Sequence, residues 1–152
     1  MTGLGGIEGP GLDRAPEDGL QVGPGQEPGA LAWCQLNAPA TGGDKAHSFY
    51  TKAFDWKFRE DPMGMGMTYT TWLSDSGSLG GMMPMPPGVG APAHWLVYFA
   101  APDVDANVAK AKSLGGQTMV PPTDIPGVGR FAVLADPQGA AFAVVKFATP
   151  MG

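Results

Sequence analysis

One order of elements is written twice along this chain, and that repetition limits its fold more than any single residue does. From Ala30 onward, apolar runs alternate with Gly- and Pro-rich punctuation. The pattern predicts a strand over about 31–37, a helix over about 42–54, and strands near 55–60, 67–73 and 79–85. It then recurs as a strand over about 94–100, a helix over about 103–114, and strands near 117–120, 129–135 and 140–147. Corresponding elements stand roughly 60 residues apart, as in a repeated βαβββ unit. Residue identity between the halves is low, so what repeats is the pattern.

The sharpest local signal is the run from Pro121 to Lys146, which reads as a loop, a strand, a tight turn and a strand. Asp136, Pro137, Gln138 and Gly139 supply what a type I turn prefers: Asp first, Pro with its preset φ second, Gly fourth. Short runs rich in Val, Ala and Phe flank the turn. In the first helix, Ala46, Phe49, Tyr50, Ala53 and Phe54 recur at helical spacing and form a stripe that must lie against a sheet, with Thr41 and Asp44 as a variant capping box. In the second, Asp103 is placed as N-cap, Val104, Val108 and Ala111 form the buried face, and Gly115 takes the left-handed conformation that ends a helix.

Charge narrows the partners. Of the formal net charge of −5, −4 falls in residues 1–30, where Glu8, Asp13, Glu17, Asp18 and Glu27 face only Arg14. Ordering this Gly- and Pro-rich leader would cost on the order of 30–60 kcal/mol. Leu4, Ile7, Leu12, Leu20 and Val22 could each offset roughly 1.5–3 kcal/mol, so residues 1–30 are expected to be disordered, with a partner-binding arm as the functional alternative. The remaining body is close to neutral and has no basic face for phosphates, so neither nucleic acid nor an anionic membrane is an expected partner. No apolar stretch reaches the roughly 20 residues of a membrane span, and no secretory signal opens the chain. A single cysteine, Cys34, has no internal disulfide partner, which fits a cytoplasmic protein.

Phe49-Tyr50, Gly80-Gly81-Met82-Met83-Pro84, the strand Trp95 to Phe99 and the Pro121 to Lys146 run together resemble a vicinal oxygen chelate domain. That superfamily holds glyoxalase I, bleomycin-resistance proteins and extradiol dioxygenases. The resemblance spans residues 31–147 and implies an α+β fold in which two βαβββ modules, about 31–85 and 94–147, form a curved mixed sheet enclosing a cleft. It also implies a homodimer, the usual state of single-domain members.

Metal-dependent members take one ligand from the first and one from the last strand of each module, typically His, Gln or Glu. Here those positions fall at Trp33 with Gln35 on the same face, in the Gly80 to Met83 region, at Leu96 with His94 on the same face, and at Ala143. A catalytic divalent metal wants about three donors. Only His94 and Gln35 offer any, so neither a metal nor another cofactor is expected.

Trp33, Gln35 and Asn37 share one strand face, and their amides suit recognition of neutral oxygens better than acid or base work. With His94, Leu96, Tyr98 and Ala143 they make the expected ligand-binding set; no catalytic residue is assigned. Cys34 should point to the helix side, His47 should face solvent, and Trp72 and Trp95 are either cleft walls or sheet core. Gly127-Val128-Gly129-Arg130 is no phosphate loop, because a strand rather than a helix follows it. Arg130 should pair with Asp124, Asp136 or a ligand carboxylate. The first reading is thus a metal-free protein that binds a small apolar or aromatic molecule in its cleft. One alternative is a lyase, isomerase or dioxygenase-like enzyme using a divalent metal or His94. Another is a dimeric interaction module recruited through the leader.

Overall fold

A computed structural model describes residues 27–40, 43–64, 66–85 and 90–148. The elements are β1 (Leu31–Ala38), α1 (Gly43–Phe54), β2 (Lys57–Gly64), β3 (Met67–Ser74), β4 (Gly77–Pro84), β5 (His94–Ala100), α2 (Val104–Ser113), β6 (Gln117–Ile125), β7 (Gly129–Ala135) and β8 (Ala141–Phe147). Both βαβββ units are therefore present in the expected order. The strands form one open, curved mixed sheet in the order β2-β3-β4-β1-β5-β8-β7-β6. Within each unit the first strand runs parallel to the last, β1 with β4 and β5 with β8. Antiparallel pairing of β1 with β5 joins the units, placing Trp33 opposite Tyr98, Gln35 opposite Leu96 and Asn37 opposite His94.

Side chains alternate across a strand, so one face of this sheet carries Leu36, Trp72, Met82 and Val144 and the other carries Gln35, Leu96 and Ala143. Both helices cover the first face. Under α1 lie Leu36, Ala38, Trp72 and Met82, with Ala46, Tyr50 and Trp56 packed against them. Under α2 lie Ala101, Ala132, Leu134 and Val144, closed by Val104 and Val108 from the helix. The Asp103 side chain caps α2 by accepting from the Ala106 N–H at 3.0 Å. Gly115 follows at φ +93°, the left-handed conformation expected of it. In the β7–β8 turn the Gly139 N–H donates to the Asp136 carbonyl at 2.9 Å, while the Asp136 carboxylate accepts from the N–H groups of Gln138 and Ala140.

Several expectations change. The sheet-facing stripe of α1 is narrower than its sequence implies: Ala46 and Tyr50 pack inward, whereas Phe49, Ala53 and Phe54 are exposed. His47, expected in solvent, takes the vacated position. Its ring stacks on Phe58 at 4.2 Å, bonds Thr70 Oγ1 at 2.9 Å, and leaves only 14% of the side chain exposed. The physical reason is rotation of α1 about its axis toward the bulky rings of β2 and β3, which give an imidazole more contact than open sheet gives a phenyl. Trp72 is 0% exposed among the helix-side core residues. Trp95 also lies on that side and donates its indole N–H to the Tyr50 hydroxyl at 3.0 Å, so neither tryptophan walls the cleft.

Residues 121–125 extend β6 rather than forming a loop. Pro121 and Pro122 are tolerated because β6 is an edge strand, where a missing N–H leaves no ladder partner bare, and the pairing with β7 slips on both sides of Val120. Residues 27–30, assigned to the leader, make a turn docked on Ala100 through Gly29 and Ala30. The rest of the leader, and Thr41 of the capping box, lie outside the described residues.

Candidate functional site

The helix-free face of the sheet brings the expected residues together. Trp33, Gln35 and Asn37 stand along β1, with Tyr98, Leu96 and His94 opposite them on β5, and Ala143 beside Tyr98 on β8. Trp33, Asn37, His94 and Tyr98 are half-buried. Gln35, Leu96 and Ala143 are 7, 4 and 0% exposed, so they form a floor beneath larger neighbours rather than a contact surface. Ala143 shows why: a single methyl group is flanked on adjacent strands by Tyr98 and Val133.

A residue that sequence reasoning missed organises this face. Tyr69 of β3 lies across Gly81 of β4, so close that a Cβ at position 81 would overlap its hydroxyl and ring. Gly81 pairs with Gln35 on one side and Thr71 on the other, and its missing side chain gives the phenol a berth above the sheet. The signal was available: a glycine inside a strand marks close approach of another group, and an aromatic diagonally across the ladder is within reach.

From Tyr69 an unbroken chain of hydrogen bonds crosses the face. Trp33 Nε1 donates to the Tyr69 hydroxyl at 3.0 Å, and that hydroxyl donates to Gln35 Oε1 at 3.2 Å. Gln35 Nε2 donates to Asn37 Oδ1 at 2.9 Å, and Asn37 Nδ2 donates to His94 Nε2 at 3.2 Å. His94 Nδ1 then meets the Pro92 carbonyl at 2.8 Å. The Pro92 end sets the direction of the links back to Tyr69: a carbonyl only accepts, so His94 Nδ1 donates to it, Nε2 accepts from the Asn37 amide, and each amide oxygen in turn accepts from the group before it. His94 thus carries its proton on Nδ1, and its Nε2 lone pair is spent on Asn37.

Burial pushes the Tyr69 phenol up to about 12, although the Trp33 hydrogen bond pulls the other way. It also pushes Tyr98 up to about 12, helped by Tyr69 nearby. Both therefore remain protonated hydrogen-bonding groups at neutral pH. Cys34 lies on the opposite face of β1, and burial raises its thiol. Arg130 is remote from this network. Its guanidinium forks onto Asp105 at 2.8 and 2.9 Å and reaches Asp124 at 3.0 Å, which holds the Asp105 carboxyl below its usual range. Asp124 was among its expected partners; Asp105, brought over by α2, was not.

Among the described residues no three His, Cys, Asp or Glu side chains converge as a cation site would require. Two surface hollows, of about 680 and 380 Å³, lie elsewhere: one on the outer side of α1 around Ser48, Phe49 and Lys52, the other between Pro28, Phe99 and Phe142. Neither α1 nor α2 covers the face that carries Gln35, Leu96 and Ala143.

Paired βαβββ units, with both helices on one side of the sheet and a cupped aromatic and amide face on the other, define a vicinal oxygen chelate domain. The chain belongs to the Glyoxalase/Bleomycin resistance protein/Dioxygenase superfamily, whose family profile matches residues 34–144. It is 43% identical over 120 residues to the Mycobacterium bovis protein named "Putative glyoxylase CFP32", a match covering 79% of this chain and 45% of that protein. It is 41% identical to the anthracycline biosynthesis protein DnrV of Streptomyces peucetius, covering 77% of this chain and 46% of the relative. The chain thus spans less than half the length of these curated relatives. Among solved structures, a Streptomyces coelicolor methylmalonyl-CoA epimerase in complex with 2-nitronate-propionyl-CoA superposes with a TM-score of 0.54 at 15% identity, over 80% of this chain and 99% of the epimerase. A Bacillus halodurans protein, BH1468, gives 0.55 at 13% identity, over 78 and 95% of the two chains. At such identities these structures speak to the fold alone.

Proposed function

We propose that this domain binds a small apolar or aromatic molecule on the helix-free face of its sheet, without a catalytic metal. The observation that carries this reading is the closed chain from Trp33 to Pro92. The positions where metal-dependent relatives place ligands fall at Trp33 with Gln35 on the same face, in the Gly80 to Met83 region, at Leu96 with His94 on the same face, and at Ala143. Gln35 offers an amide oxygen there, and it already accepts from Tyr69. His94 is the remaining nitrogen ligand, with both ring nitrogens engaged. These residues do not fit a three-donor cation site. The same engagement argues against His94 as a general base, which would need a free lone pair directed at substrate.

What the face offers instead is ring surface from Trp33, Tyr69 and Tyr98 around a neutral polar floor, the make-up of a site for a planar molecule carrying a few oxygens. The name of the Streptomyces relative, an anthracycline biosynthesis protein, points to fused-ring aromatic polyketides as the first compounds to try. Because α1 and α2 of one chain leave this face uncovered, a homodimer that closes it over the ligand belongs to the same proposal. The near-neutral body and unpaired Cys34 fit a cytoplasmic setting, with neither nucleic acid nor membrane as partner.

Calorimetric titration of untagged protein with an anthraquinone, together with metal analysis of the same sample, tests the reading. Saturable binding that weakens about tenfold or more in Trp33→Ala, with less than 0.1 equivalent of divalent metal on the order-of-magnitude scale of a chance contaminant, is expected. Stoichiometric metal, or affinity indifferent to Trp33, would refute it. Light scattering with and without ligand checks the dimer.

A further inference from the structure

The chain of hydrogen bonds has a direction, and that direction fixes what Tyr69 offers a ligand. A phenolic hydroxyl has one proton and two lone pairs. The Tyr69 proton goes to Gln35 Oε1 and one lone pair takes the Trp33 indole N–H, leaving a single lone pair. The hydroxyl cannot simply turn its proton outward. Doing so would strip the buried Gln35 oxygen of its donor, and Gln35 cannot flip to compensate, because its Nε2 is held by Asn37 Oδ1 and Asn37 in turn by His94. The His94 ring is pinned by the Pro92 carbonyl. Tyr69 therefore keeps its proton on Gln35 and can meet a further group only as an acceptor, over a Gly81 whose bare backbone is what lets the ring lie there.

We infer that Tyr69 is the specificity-determining residue of this face: its remaining lone pair accepts a hydrogen bond from a hydroxyl on the ligand's ring, so that hydroxylated aromatic molecules are taken in preference to their ethers. This deepens the binding reading above and rests on it. Were Tyr69 free to donate, the preference would vanish, since ether and hydroxyl oxygens both accept.

The test is a matched pair, 2-hydroxyanthraquinone against 2-methoxyanthraquinone, titrated calorimetrically into the wild-type protein and into Tyr69→Phe, which keeps the ring over Gly81 but removes the oxygen. The wild type should favour the hydroxy compound by about tenfold, the weight of one hydrogen bond at a half-buried site. Tyr69→Phe should bind both within about twofold of each other, by the same reckoning. Equal wild-type affinity for the two compounds overturns the assignment and leaves the binding reading standing, as does a preference that survives in Tyr69→Phe. Binding of neither compound overturns both. If Tyr69→Phe proves too unstable to titrate, the wild-type comparison decides alone.

Discussion

Replacing Gly81 by alanine should be among the most destabilising single-methyl additions this sheet can receive, and the structure gives its size. The new Cβ would overlap the Tyr69 hydroxyl and Cζ and stand 3.0 Å from Cε1. Its own strand is held in the ladder by Gln35 and Thr71 on either side, so the phenol must yield. Displacing it breaks the bonds to Trp33 and Gln35, about 1 kcal/mol each, and adds overpacking strain of about 1–3 kcal/mol. The entropic advantage of alanine over glycine returns roughly 0.5–1 kcal/mol. The net cost is about 2–4 kcal/mol, or a fall in Tm of about 8–16 °C at roughly 4 °C per kcal/mol. Urea denaturation followed by tryptophan fluorescence reads it directly. The decisive comparison is a double-mutant cycle: in Tyr69→Ala the berth is empty, so alanine at 81 should cost nothing and a coupling of about 3 kcal/mol should appear. A Gly81→Ala protein within about 0.5 kcal/mol of wild type, or an equal cost in both backgrounds, would refute the account of how Tyr69 is seated.

Alkaline pH supplies a second check. The fold holds Tyr69 and Tyr98 protonated up to about pH 12, whereas an unfolded tyrosine ionises near 10. Between these values the native state binds more protons, so stability is intact below pH 10 and falls as pH rises toward 12, by up to about 3 kcal/mol per phenol. Urea midpoints from pH 8 to 11 should drop less in Tyr69→Phe relative to its own neutral value, and an equal drop would contradict the burial of that phenol. Leu134→Ala empties a site 1% exposed under α2 and should cost about 2–5 kcal/mol in the same assay. Asp103→Ala removes the α2 cap and should cost about 1 kcal/mol, visible as faster amide exchange at Ala106. Cys34, its thiol raised by burial, should react with iodoacetamide at pH 7.5 more slowly than free cysteine; equal rates would show the thiol to be open.

Much of the fold lay in the order of residues. Asp103 and Gly115 bound a helix through contacts made within a few residues of themselves, and Asp136 to Gly139 close a turn on their own backbone. The alternation in Trp33-Cys34-Gln35-Leu36-Asn37 sorts those side chains onto two faces whatever lies across the ladder. Where partners far apart in sequence decide, the reading fell short. The rotation of α1 that buries His47 and exposes Phe49 depends on Phe58 and Trp72, and no helical periodicity contains them. The partner Asp105 reaches Arg130 only because α2 packs beside β7.

The sequence by itself therefore determined the two βαβββ units, the ends of α2 and the tight turn, and the residue types of the strand face that holds Gln35, Asn37 and His94, because each follows from local sterics, periodicity or residue type. Only the tertiary structure decided that Tyr69 reaches across the gap left by Gly81 and aligns five side chains in one direction. Hydrogen-bond direction runs back from the Pro92 carbonyl through His94, Asn37 and Gln35 to Tyr69, and Tyr69 joins that line only through a ladder register between β3 and β4 that the order of residues does not state.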